Sequence, residues 1–514
     1  MVKPTTCLNL WSRFTGGLKA KKPLGFPFMG YKIRIYMLLA ATIPSGLAGM
    51  QARATDYDQL PDLGSSSATI ISAREEQMVG DDFIRRSRQQ LDFVNDPELL
   101  IYINKVGNRI AEASNHPEQS FNFYLIDDAS LNAFAVPGGH IAVHTGLLLE
   151  AENEDQLASV LAHEVAHVTQ HHIARGIEKS KGNVLTTLAT VLAAAALGGQ
   201  AAQAALIYAN ASAIEKRLSY SREFEREADS IGIRSLYAAG YSPDEMPGFF
   251  RTLQRWGRIK ESGAPEFLRS HPLTVSRISE SAARTENYPD VPLADQTDFN
   301  YARAKIRAMY AKNIPSELAL IESEIAETEN AAPADLRFAY SLILMRANKY
   351  DQARSEIAEL IYQYPDHVGY KLAQSDIELE AQNYDLGIAQ LSKVRETLSE
   401  DWSHYEKTVD MYYANALVLT ERFVEAIPVL RKSIRSTPGE PLFHIMLARA
   451  YGESGETFKA YQSRGEYHYL SGNLGFAQAQ FKEAASLATS YYDKASVQAR
   501  LEDIRRQFAI LGVK

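Results

Sequence analysis

Cysteine is nearly missing from this chain of 514 residues, the single example being Cys7 near the start. Whatever follows must fold without disulfides and bind any metal without thiolates, which leaves histidine and carboxylate as ligands. Runs of lysine and arginine are missing beyond residue 54, and 54 basic residues face 63 acidic ones for a formal charge of −9. Nucleic acid is therefore excluded as the main partner. No unbroken apolar run is long enough to cross a bilayer. Disorder is not the default either, because 46% hydrophobic and 23% charged residues is ordinary globular composition, and the length calls for two or more domains.

What is present begins with an export signal. Between Met29 and Ala54 come Lys32 and Arg34, the apolar stretch Ile35 to Ile43, and small residues ending Ala52-Arg53-Ala54. That order is the layout of a cleaved signal peptide, with residues 1–54 removed after Ala54 and with Met29 or Met37 as alternative starts. A retained anchor is the other reading, for which the apolar run is short. An exported chain without cysteine fits the periplasm of a Gram-negative bacterium.

From Asp81 to about Ser114, Leu99, Ile103, Val106 and Ile110 keep helical spacing. Phe121 to Ile126 reads as a strand, and Ala133 to Val136, Pro137-Gly138-Gly139 and His140 to His144 read as a β-hairpin. Two roles are open for the hairpin: an exposed edge that holds an extended peptide by main-chain hydrogen bonds, or a support packed under the next helix. His140 and His144 are expected to be structural or solvent-facing. Residues 184–213 are nearly free of charge and broken by Gly198-Gly199. They fit two short helices, either a lid that touches the membrane or plain core helices.

The chemistry lies in Leu161-Ala-His-Glu-Val-Ala-His-Val-Thr-Gln170. On a helix, His163 and His167 project from one face and can share one zinc ion, while Glu164 beside them can move a proton from water to a leaving amine. Acids at 152, 154 and 155 suit a helix start, and Leu157, Val160, Leu161, Val165 and Val168 supply a buried face. A third ligand is expected in Ser219 to Leu236, where Glu223, Glu225 and Glu227 compete. Only Glu225 lies four residues before Asp229 on one face, so it can meet the metal while Asp229 accepts an N–H from a ligating histidine. Three protein ligands leave a fourth position for water. His172, off the ligand face, is left out of the site.

A Pro- and Asp-containing stretch, about 287–297, has linker composition, so a metallopeptidase domain is expected over 55–290 and a second domain over 291–514. The second half repeats an aromatic followed by a small residue, at Tyr350 and Ala353, Tyr384 and Gly387, Phe423 and Ala426, and Phe458 and Ala460. Positions 353 and 387 are 34 apart, as are 426 and 460, which is the tetratricopeptide period. About four repeats are expected, with an irregular middle. The fold class is then an α+β metallopeptidase domain, mostly helical with a small β-sheet, followed by an α-solenoid of tetratricopeptide repeats.

Asn132-Ala-Phe-Ala-Val-Pro-Gly-Gly-His140, His163-Glu164-x-x-His167 and Glu225-Arg-Glu-Ala-Asp229, with repeats after them, resemble the periplasmic, repeat-bearing branch of the zinc metallopeptidases that include the CAAX prenyl endopeptidases. The resemblance implies one Zn2+ held by His163, His167 and Glu225, Glu164 as general base and Asp229 in support. It also implies that His271, in Ser270-His271-Pro272-Leu273, takes the fourth metal position in a self-inhibited resting state; the residues alone would leave His271 in a solvent-exposed loop. Implied substrates are misassembled outer-membrane β-barrel precursors, with the barrel-assembly machinery as partner. The His171-His172 pair departs from the pattern and is expected not to touch the catalytic set. The rival reading is a chaperone or scaffold that works through the repeat groove with little proteolysis.

Overall fold

The helix that carries His163 is buried on every side. All sixteen residues from Glu154 to Thr169 are buried, so the helix runs through the core instead of lying on it. Asn153 caps it by accepting from the Gln156 amide. The acids of its first turn also tie it to its surroundings: Tyr102 and Tyr241 donate to Glu154, and the Ser242 and Ala294 amides donate to Asp155.

The computed structural model describes residues 73–178, 222–259 and 267–510, apart from 89, 330 and 437. The expected signal, 1–54, and the charge-poor stretch 184–213 lie outside the described residues. In chain order the first part contains α1 (Ala73–Ser87), α2 (Pro97–Glu112), β1 (Asn122–Ile126), β2 (Ala133–Val136), β3 (His140–His144), α3 (Thr145–Glu150), α4 (Glu154–Thr169), α5 (His172–Glu178), α6 (Arg222–Ala238), α7 (Glu245–Ile259), α8 (Phe267–Ser270), α9 (Val275–Thr285) and α10 (Thr297–Tyr310). The helical spacing expected from Asp81 to Ser114 is interrupted: Asp96 caps a new helix through the amides of Glu98 and Leu99, and Pro97 occupies its first turn.

The three strands lie in the order β1-β3-β2, with β1 parallel and β2 antiparallel to β3. The hairpin is as expected, and Gly138 and Gly139 at its turn both have φ of 81°, open to glycine at little cost. The outer edge of β1 is closed by the Asn104 side chain, which bonds both the amide and the carbonyl of Phe123, and by a bridge from Phe93 to Ile126. No described strand pairs with the outer edge of β2. Because Asn132 accepts from the His144 amide, alternation along the ladder turns the main chain of Ala133 and Ala135 toward that edge.

Beyond α10 the chain continues as antiparallel helices: 314–326, then the pairs 334–346 with 350–363, 368–380 with 384–396, 406–419 with 423–436, 441–453 with 457–470, and 474–487 with 491–510. The small positions Ala353, Gly387, Ala426 and Ala460 are buried where paired helices meet. The irregular middle spacing has a local cause, a 3-10 turn at Glu400–Tyr405 inserted between two pairs. Helix α10 joins the two halves, giving Phe299, Ala302 and Ile306 to the first core and Tyr301, Ala304 and Ala308 to the second. Among the described residues no helix is long and apolar enough to cross a membrane.

Candidate active site and metal centre

Helix α6 crosses α4 at His163, and Gly232 permits the approach: a Cβ there would lie 3.3 Å from the His163 amide nitrogen and 2.9 Å from Met246 Cε. The crossing brings Glu225 of α6 to the histidines. His163 Nε2 and His167 Nε2 are 3.0 Å apart, and Glu225 reaches them at 3.6 and 3.4 Å. From the loop between α8 and α9, His271 sets Nδ1 3.2 Å from His163 Nε2 and 3.1 Å from Glu225 Oε1. One ligand atom from each of these four buried residues fits within a span of 4.8 Å. His271 is therefore not a solvent-exposed loop residue, and Phe267 stacks on its ring at 4.6 Å.

Glu164 is wholly buried beside this group, with Oε1 3.5 Å from His271 Nε2. Burial raises its proton affinity, opposed by His271 and His163 and by the Ala135 amide of β2, which faces the carboxylate. The site helix and the open strand edge thus meet at Glu164. For Glu225, burial acts upward, yet His271 and the hydrogen-bonding histidines hold the carboxyl well below its usual range. Burial would lower His163, but Asp229 and Glu225 push it up to about 9.

Asp229 lies one turn after Glu225, with Oδ1 3.0 Å from His163 Nδ1. Sequence reasoning missed the residue that holds it. Arg277 of α9 donates through Nε and Nη2 to the two Asp229 oxygens, each at 2.8 Å, and its Nη1 lies 2.7 Å from Glu225 Oε2. The same Nη1 donates to the Pro272 carbonyl, which anchors the loop of His271. An arginine that faces inward carries no mark of it in the sequence.

His172 requires a correction. The sequence placed it away from the catalytic set, on the assumption that one helix continues through it. Helix α4 instead ends at Thr169, His171 takes a left-handed φ of 50°, and α5 starts afresh at His172. That turn brings His172 Nδ1 to 2.8 Å from His167 Nδ1. Of the competing glutamates, Glu223 is exposed and Glu227 pairs with His172 and Arg175, so Glu225 is the one at the centre. His140 and His144 are structural and buried, the first bonded to Asp81 and Tyr124 and the second to Ser130.

The donor set fits a metal ion. Imidazole nitrogens 3.0 and 3.2 Å apart, with a carboxylate among them, crowd lone pairs at one buried point, and a cation relieves that crowding. A buried helix with paired histidines, a carboxylate from a crossing helix and a second, buried glutamate beside them define the class as a metallopeptidase. In agreement, the model of peptidase family M48 matches residues 100–285. The chain is 31% identical to the beta-barrel assembly-enhancing protease of Yersinia pestis, covering 91% of this chain and 96% of that one. It is 30% identical to the Escherichia coli K12 protein of the same name, over 88% and 93%. The Arabidopsis thaliana mitochondrial metalloendopeptidase OMA1 is 30% identical over 41% of each chain. The chain belongs to peptidase family M48, in the branch of the beta-barrel assembly-enhancing proteases.

Proposed function

We propose that this chain is a periplasmic zinc endopeptidase that degrades misassembled outer-membrane β-barrel precursors and assists outer-membrane protein assembly. The observation that carries it is the convergence of His163, His167 and Glu225 with Glu164 buried at their side. The names of its long relatives support the substrate class.

In this reading His163, His167 and Glu225 hold zinc, which when bound supplies Lewis acidity to a water and to the scissile carbonyl. Glu164 takes the proton of the attacking water and delivers it to the leaving amine. Asp229, held by Arg277, fixes the His163 ring. The outer edge of β2 aligns an extended substrate by main-chain hydrogen bonds, independent of its sequence. His271, which lies within the same group, would also hold the metal at rest, and substrate or a partner on the repeats would shift the loop open. The repeats, from about residue 291, recruit misassembled precursors or the barrel-assembly machinery, and the peptidase unit occupies about 55–290.

The test is degradation of an unfolded barrel precursor by the chain from residue 55 onward, at equal zinc content. Wild type is expected to cleave, Glu164→Gln to lose at least about 100-fold, and His271→Ala to cleave faster. Equal rates for wild type and His271→Ala would remove the closed resting state. If neither cleaves while both still bind precursor and suppress its aggregation, the scaffold reading stands instead.

A further inference from the structure

His167 and His172 point their Nδ1 atoms at each other across 2.8 Å, so one ring must donate there and the other accept. An imidazole that gives its Nε2 lone pair to a metal carries its proton on Nδ1 and needs an acceptor for it. His167 Nε2 faces the other candidate ligands, 3.4 Å from Glu225 Oε1, so with a metal bound there its proton sits on Nδ1 and His172 accepts. His172 must then carry its own proton on Nε2, and that N–H meets Glu227 Oε2 at 3.2 Å. Arg175 Nη1 holds both Glu227 oxygens, at 3.2 and 3.1 Å. Phe224 fixes the plane of His172 by stacking on it at 4.5 Å and 12°, and the Arg175 guanidinium lies 4.7 Å from the Phe224 ring centre.

We propose that His172, Glu227 and Arg175 form a positioning relay that sets the tautomer and orientation of His167 as a metal ligand. The inference rests on the metal reading above and extends it to three residues outside the ligand set. The two histidine ligands are held unequally. His163 is oriented directly by a buried carboxylate, whereas His167 is oriented through a second imidazole to Glu227, whose side chain is 33% exposed. A change at this half-exposed residue therefore reaches the metal without altering any ligand or emptying any core volume.

Zinc stoichiometry, the rate of zinc transfer to a competing chelator and the melting of the metal-free protein test the relay in the full chain. Glu227→Ala is expected to bind one zinc, to release it about 10- to 100-fold faster than wild type, and to melt like wild type when metal-free. Glu227→Gln, which keeps an acceptor for the His172 N–H, is expected to release zinc at nearly the wild-type rate. His172→Ala should match or exceed the Glu227→Ala effect; if it fails to fold, the Glu227 pair decides. Release from Glu227→Ala at the wild-type rate, or equal acceleration in Glu227→Ala and Glu227→Gln, overturns the relay. A folded wild-type chain that holds no zinc overturns the metal reading itself, which separates the two failures.

Discussion

Arg277 shows how much of the centre depends on a residue outside the motifs. It neutralises two buried carboxylates, Glu225 and Asp229, and fastens the loop that carries His271. Removing one partner of a buried ion pair leaves an uncompensated charge, at a cost of about 3–5 kcal/mol. Arg277→Leu in the metal-free protein is expected to lose stability on that scale, measured by urea denaturation. A loss below about 1 kcal/mol would mean that water replaces the guanidinium. The residues that converge were legible: His163 and His167 from their spacing, and Glu225 from its position one turn before Asp229. Arg277 and His172 were not, because each reaches the site through a change of chain direction, at the His271 loop and at the left-handed His171.

Among the elements, the repeat helices owe their regularity to local signals. The first helix of each of the first four pairs ends in a left-handed residue, at Asn348, Gln382, Glu421 and Gly455, and the amide after it reaches back five residues to the helix carbonyls. His367 begins the helix 368–380, its Nδ1 accepting from the Tyr370 amide. Burial lowers its pKa from 6.5 to about 4, and buried His144 behaves alike. A depressed histidine is neutral in the fold and protonated more readily when unfolded. Its contribution is therefore complete above about pH 6.5 and is lost as pH falls through 4, on the order of 3 kcal/mol per group. His367→Asn, which keeps a cap, is expected to flatten the fall in stability between pH 6.5 and 4, measured by denaturant titration at each pH. An unchanged slope would assign the acid sensitivity to other groups.

Across the whole molecule, one buried polar cluster joins the halves. Lys305 of α10 meets Asp96 at 2.9 Å and Glu98 at 2.6 Å, both at the start of α2, and donates to the Tyr412 hydroxyl of helix 406–419. Tyr301 and Tyr412 each donate to Glu98 at 2.5 Å. Two carboxylates near one ammonium push its pKa above its usual value although burial opposes this. Lys305→Met is expected to cost about 3–5 kcal/mol and to split one unfolding transition into two, followed by calorimetry. A single transition at the wild-type temperature would show that the apolar contacts of α10 suffice to couple the halves.

Local and periodic features can be read along the chain alone: the helix with paired histidines, the hairpin with its glycine turn, and the 34-residue repeat. Each is written in spacing, and spacing within one element survives folding because backbone geometry fixes it. Which inward-facing charges meet depends on how separate elements pack. That His271 reaches His163 and Glu225, that Arg277 ties two carboxylates, that His172 folds back on His167 and that Lys305 bridges the halves are all contacts between separate elements. Their geometry is set by helix crossings and loop turns, for which a single sequence carries no period.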